Sequence, residues 1–237
     1  MQKALLVIAS LVLVGNPRHI SGQTGWQTRI TDHFEIYYER QLTSQVDRVA
    51  TEAERAYGRI SADLQYDLPE RVPLLLLSEL PDSEASRSNT IRSSGAPPRD
   101  HLLLRVGPAD QREGTLTHEL THLFEFEIIA RSPWLPAWVY EGLAEYERLR
   151  WTARTAPAAL VTSASTVVPA IDRLTASDRN WGRMVFAFIA DEFGTQGIRR
   201  YLMVLKRVDA GGDAIQQAFG LSSNKFDRAF ERYVKAR

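Results

Sequence analysis

The segment His118-Glu119-Leu120-Thr121-His122 fits the pattern H-E-x-x-H and gathers the residue types a hydrolytic metal centre needs. On a helix, positions four apart project from one face, so His118 and His122 can aim two imidazoles at a single cation. Glu119 lies just off that face, where a carboxylate can take a proton from a water held by the cation without itself binding the ion. A catalytic zinc ion takes three protein ligands and keeps one position for water. The third donor must therefore come from elsewhere in the chain. Glu141, in the run Trp138-Val139-Tyr140-Glu141-Gly142-Leu143-Ala144-Glu145-Tyr146, is the best placed, because eighteen residues lie between it and His122. That length finishes one helix, turns, and brings a second helix across the first. Glu145, one turn further on, can face the same ion, and the roles of Glu141 and Glu145 are open to exchange.

Composition narrows the alternatives. The chain has 237 residues, 44% apolar and 24% charged, which describes an ordinary globular protein of one domain with a real core. Its formal net charge is zero, so no basic excess argues for nucleic acid. There is no cysteine, which excludes disulfides, thiolate-bound metal, iron–sulfur clusters and a cysteine nucleophile. Any metal has to be held by His, Asp or Glu, and His118 and His122 are two of only five histidines. Of the others, His33 and His101 stand at strand ends and read as structural.

The N-terminus carries Lys3, a largely apolar run from Ala4 to Val14, and then Gly15-Asn16-Pro17. The run is too short to span a bilayer and fits a secretory signal peptide over residues 1–23, with cleavage near Gly22 or Gln23. The remainder, 24–237, is expected to be exported to the periplasm or the medium, with no membrane span in the mature chain.

The elements that would position the motif follow from periodicity. His33 to Glu39 alternates apolar residues at Phe34, Ile36 and Tyr38 and predicts a strand. Ser44 to Leu64 repeats apolar residues at helical spacing. Val72 to Leu77 is a continuous apolar run suited to a buried strand, and His101 to Val106 predicts another. Between them, Ser78 to Arg99 is polar and proline-bearing and reads as a long loop. A helix carrying the motif is expected from Asp110, with Glu113 as capping-box partner, to about Ile129. After Ser132-Pro133-Trp134-Leu135-Pro136, a second should run from Ala137 or Trp138 to about Arg150. Thr152 to Asp178 reads mostly as loop with a short helix. Helices then follow at Trp181–Phe193, Thr195–Val208, Asp213–Phe219 and Ser222–Lys235, with Gly194 in a helix-ending position. The fold class is α+β: a small mixed sheet, the motif helix, and a helical C-terminal half.

His118-Glu119-Leu120-Thr121-His122 followed by Trp138 to Tyr146 resembles the gluzincin branch of the zincin metallopeptidases, whose aminopeptidase members carry H-E-x-x-H, then eighteen residues, then Glu. The closer likeness is to compact bacterial peptidase MA-like proteins, carried by Pro136-Ala137-Trp138 before Glu141-Gly142, by the strand at His33 to Tyr38, and by Phe226, Phe230 and Tyr233 in the last helix. It covers most of the chain after about Trp26, and its specific part is the two metal motifs.

The resemblance implies a zincin-like fold holding one zinc ion per chain on His118, His122 and Glu141, with Glu119 as general base. It implies that Glu145 hydrogen-bonds a liganding histidine. It implies a metallopeptidase acting on a peptide or protein, in a cleft between the two motif helices and the upstream sheet, whose strand at Leu102 to Val106 would pair with extended substrate. Many gluzincins also place a Tyr or His across the cleft to stabilise the oxyanion; Tyr146 and Tyr201 are the available donors. Two other readings stand beside hydrolysis: a binding or scaffolding module that retains zinc, and a structural metal site, for which three ligands are one too few. The sequence leaves the substrate, endo- or exo-cleavage and the oligomeric state open.

Overall fold

The computed structural model describes residues 25–83, 94–96, 100–130, 135–152, 167–175, 177–207 and 213–237. The expected signal peptide, Pro133, Trp134 and much of the loop between Ser78 and Arg99 lie outside them. The chain gathers into two compact units, one within Met1–Glu54 and Glu70–Pro108, the other within Arg55–Pro69 and Ala109–Arg237.

The first unit is built on a sheet of four strands, β1 (Trp26–Ile30), β2 (Phe34–Glu39), β3 (Val72–Leu77) and β4 (Leu102–Arg105), in that spatial order. β1 pairs antiparallel with β2; β2 with β3 and β3 with β4 are parallel, so the sheet is mixed. Helix α1 (Val46–Leu64) makes the crossover from β2 to β3, which parallel pairing requires. The sequence patterns follow the neighbours each strand has. β2 alternates, with Phe34, Ile36 and Tyr38 buried. β3 lies between two partners and is buried at every position, hence its unbroken apolar run. In register, Ile36 stands opposite Leu74, and Leu74 opposite Leu102.

β1 was not foreseen. Its residues are half-buried to exposed and carry no alternation; only the ladder to β2 makes WQTRI a strand. His33 sits where β2 begins. Its backbone N–H reaches Glu54 Oε1 at 2.9 Å and its Nδ1 lies 2.6 Å from Oε2, which ties the strand entrance to α1.

The second unit is helical: the C-terminal part of α1, then α2 (Ala109–Ile129), α3 (Ala137–Thr152), α4 (Arg179–Phe193), α5 (Thr195–Leu205), α6 (Ala214–Phe219) and α7 (Ser223–Lys235). Of the segment expected to be mostly loop with a short helix, residues 153–166 lie outside the described residues, and the part before α4 that is described holds a 3-10 turn at Ile171–Arg173. Glu113 has its Oε1 3.0 Å from Arg59 Nη1 and 3.7 Å from Arg55 Nη1, because α2 lies against α1 at this level; the side chain of Asp110, the other half of the expected capping box, lies outside the described residues. Tyr57 of α1 packs on Phe124 of α2, ring centroids 5.2 Å apart.

The C-terminal helices share an aromatic core. Phe188 meets Phe226, Phe230 and Tyr233, and Phe219 stacks on Phe193 at 4.4 Å. α4 and α5 are joined by Gly194 alone, at φ 71°, a conformation that favours glycine. α3 crosses α4 at two glycines. A Cβ on Gly142 would lie 2.6 Å from the Gly182 carbonyl carbon, so the two backbones touch there. No helix among the described residues is long and apolar enough to cross a membrane.

Candidate metal centre

Helix α2 sorts its residues by face. Leu116, Leu120, Phe124 and Ile128 are buried at helical spacing and fix the helix in the core. Thr117 and Thr121 are also buried, and each returns its hydroxyl proton to the carbonyl four residues back, at 2.8 Å, so neither polar group is stranded. That anchoring leaves His118 and His122 half-buried on the adjoining side, their rings edge to face with centroids 4.9 Å apart.

Helix α3 brings Glu141 to the same place. Its Oε2 lies 3.7 Å from His118 Nε2 and its Oε1 3.8 Å from His122 Nε2, so the carboxylate straddles the two imidazoles. One donor atom from each of the three residues lies within 4.8 Å of the others. Ligands about 2.0–2.1 Å from one zinc ion stand about 3.3 Å apart in a tetrahedron, so a small inward movement of side chains closes this set around an ion. The donors suit zinc: two imidazoles and a carboxylate, with no thiolate. The His-His-Glu group thus has the chemistry and dimensions to hold a metal ion.

Around the trio, each histidine turns its other ring nitrogen to a carboxylate. Glu145, one turn after Glu141, places Oε2 3.6 Å from His118 Nδ1. Its carboxylate also takes a two-pronged grip from Arg148, Nε at 2.8 Å and Nη2 at 2.5 Å. Burial alone would raise the pKa of Glu145, but the hydrogen bonds from Arg148 and His118 overcome it and hold the carboxyl at about 2. Glu145 therefore stays ionised, and its contact is with the ring nitrogen that faces away from Glu141.

His122 has a corresponding partner that the sequence reading missed. Glu125, three residues on and fully buried, has Oε2 2.8 Å from His122 Nδ1. Burial pushes this carboxyl up to about 7, with the charge of Glu141 adding to the effect and His122 opposing it. Burial also disfavours charge on His122, yet the bond to Glu125 and the negative charges of Glu125, Glu119 and Glu141 outweigh it and raise the imidazole pKa. The only sequence signal for Glu125 is its i, i+3 spacing from His122, which many solvated glutamates share.

Glu119 is exposed and stands outside the converging trio, close enough for its charge to act on His122. Leu120 is in the core, as expected. Tyr201 is buried between aromatic neighbours, 6.3 Å from the Phe186 ring and 5.9 Å from that of Phe219. Tyr146 has its hydroxyl 3.3 Å from Arg150 Nη1.

Farther along α3, Glu147 and Asp63 of α1 are two buried carboxyl groups close enough to act on each other's ionisation. Trp151 Nε1 donates to Glu147 Oε2 at 3.1 Å, and Arg150 Nη1 lies 2.8 Å from Asp63 Oδ2. This pair braces α3, which carries Glu141, against α1.

Compared with protein-family models, with curated proteins and with solved structures, the chain matches none.

Proposed function

We propose that the chain is a zinc-dependent metallopeptidase of gluzincin type, exported by its N-terminal leader, with Glu119 as general base. The observation that carries this reading is the convergence of His118 Nε2, His122 Nε2 and the Glu141 carboxylate. Three protein donors leave a zinc ion open to water, the arrangement of catalytic sites, whereas structural sites are closed by four. The spacing that makes the sequence resemble gluzincins is the spacing that brings these three residues together.

A bound zinc ion would supply Lewis acidity, lowering the pKa of a water to about 7 and polarising the scissile carbonyl. The chain's own residues do the rest. His118, His122 and Glu141 would hold the ion. Glu119, exposed beside them, accepts the proton of the attacking water and hands it to the leaving amine. Glu145, held ionised by Arg148, orients His118.

One observation favours a second reading, a zinc-retaining binding module. Of the two tyrosines available as oxyanion donors, Tyr201 is enclosed in the aromatic core. Metal analysis of the purified protein, followed by a peptide-library assay of wild type and Glu119→Gln, separates the readings. One zinc per chain with cleavage lost in the variant is the result expected of the peptidase. Zinc without cleavage in either protein leaves the binding module. No bound zinc removes both.

A further inference from the structure

Glu125 is costly to the fold. Its carboxyl group is fully buried on a helix whose core-facing neighbours Leu120, Phe124 and Ile128 are apolar, and its Oε1 has no hydrogen-bond partner among the described residues. Burying a carboxyl with one oxygen unsatisfied is unfavourable, and a leucine of similar size would serve packing better. The other oxygen makes one close contact, 2.8 Å to His122 Nδ1.

We infer that Glu125 is a positioning residue that fixes His122 as the tautomer with hydrogen on Nδ1, leaving the Nε2 lone pair directed at the metal position beside Glu141. The chemistry is one of donors and acceptors. A neutral imidazole carries one N–H and one lone pair, and the Glu125 carboxyl, once it has lost its proton, can only accept. Pairing Nδ1 with Glu125 makes that nitrogen the donor. Nε2, 3.8 Å from Glu141 Oε1, is then the lone-pair nitrogen. The two histidines are held unequally. Glu145 divides its oxygens between Arg148 and a longer, 3.6 Å approach to His118, whereas Glu125 Oε2 is directed at His122 at 2.8 Å. His122 is thus the ligand whose ring orientation is set within its own helix, one turn from the metal position. The inference rests on the metal-site reading for its purpose, but the tautomer is a property of the protein without metal.

The test compares wild type, Glu125→Leu and Glu125→Gln. Imidazole nitrogen spectra of the metal-free proteins at alkaline pH report the tautomer of His122, and competition with a chelator reports zinc affinity. Wild type should show hydrogen on Nδ1. Glu125→Leu should lose that preference and bind zinc about 10–100-fold more weakly, the usual loss when such a partner is removed. Glu125→Gln keeps an acceptor oxygen and should fall between. The inference is overturned if wild-type His122 carries its hydrogen on Nε2, or if Glu125→Leu keeps both tautomer and affinity. Should Glu125→Leu fail to fold, wild type and Glu125→Gln still decide. A wild-type protein that takes up no zinc sinks the metal-site reading instead, and the tautomer comparison still decides the role of Glu125.

Discussion

Gly142 of α3 and Gly182 of α4 meet backbone to backbone: a Cβ on Gly142 would come within 2.7 Å of Gly182 Cα, and one on Gly182 within 2.6 Å of the Trp138 carbonyl oxygen. Gly142 is the residue after Glu141, so the place where α3 rests on α4 also sets where the carboxylate of the His-His-Glu group stands.

Gly142→Ala should therefore force the helices apart, costing about 1–3 kcal/mol of stability as overpacking does. Because Glu141 moves with α3, zinc affinity should fall as well. Denaturant unfolding and chelator competition measure the two effects. A variant as stable as wild type would mean the helices do not touch at this residue.

Zinc should raise the unfolding free energy by mass action, by about 2.7 kcal/mol at a hundredfold excess over Kd. Glu141→Gln should lose most of that gain, Glu145→Gln should lose part of it, and Glu119→Gln should keep it. Thermal unfolding with zinc and with chelator reads all three. The opposite order, with Glu145→Gln worse than Glu141→Gln, would make Glu145 the ligand.

Arg148→Met should release Glu145. Its carboxyl, held at about 2, should titrate closer to the ordinary value of 4.5. Carboxyl-carbon titration of the metal-free protein measures this. An unshifted low value in the variant would assign the depression to another group.

The Asp63–Glu147 pair makes a prediction about pH. Burial first, and then the charge of Asp63, push Glu147 up to about 8 against an ordinary value of 4.5; Asp63 is raised as well. Between those values the folded chain keeps a proton that the unfolded chain releases. Stability should therefore fall as pH rises across that window and level off above it. Glu147→Gln, which retains an amide to donate to Asp63, should flatten the slope. Unfolding free energies at several pH values give the answer, and an equal slope in the variant would rule out Glu147 as the source.

Legibility in the sequence tracks how local the cause is. His118, His122 and Glu141 were readable because helical geometry and the length of one helix–turn–helix bring them together. β3 was readable because a strand with partners on both sides is apolar throughout. β1 was not, since its identity resides in backbone bonds to β2 and its side chains follow no pattern. Its half-buried to exposed residues gave no periodicity to detect. Glu125 and Glu147 each look like ordinary surface glutamates in the sequence. Only the packing of α1, α2 and α3 shows that both are buried. The ion pairs of Glu113 with Arg55 and Arg59 were hidden for a similar reason, since they join residues more than fifty positions apart in the chain.

The straddling carboxylate of Glu141 has a kinetic corollary. Each of its oxygens already faces a different imidazole, so an ion entering there would meet a rotamer set by folding. Little conformational search remains at the moment of ligation. The speed of loading should then be governed by how fast the ion sheds its own water, and the three residues should engage as one jaw.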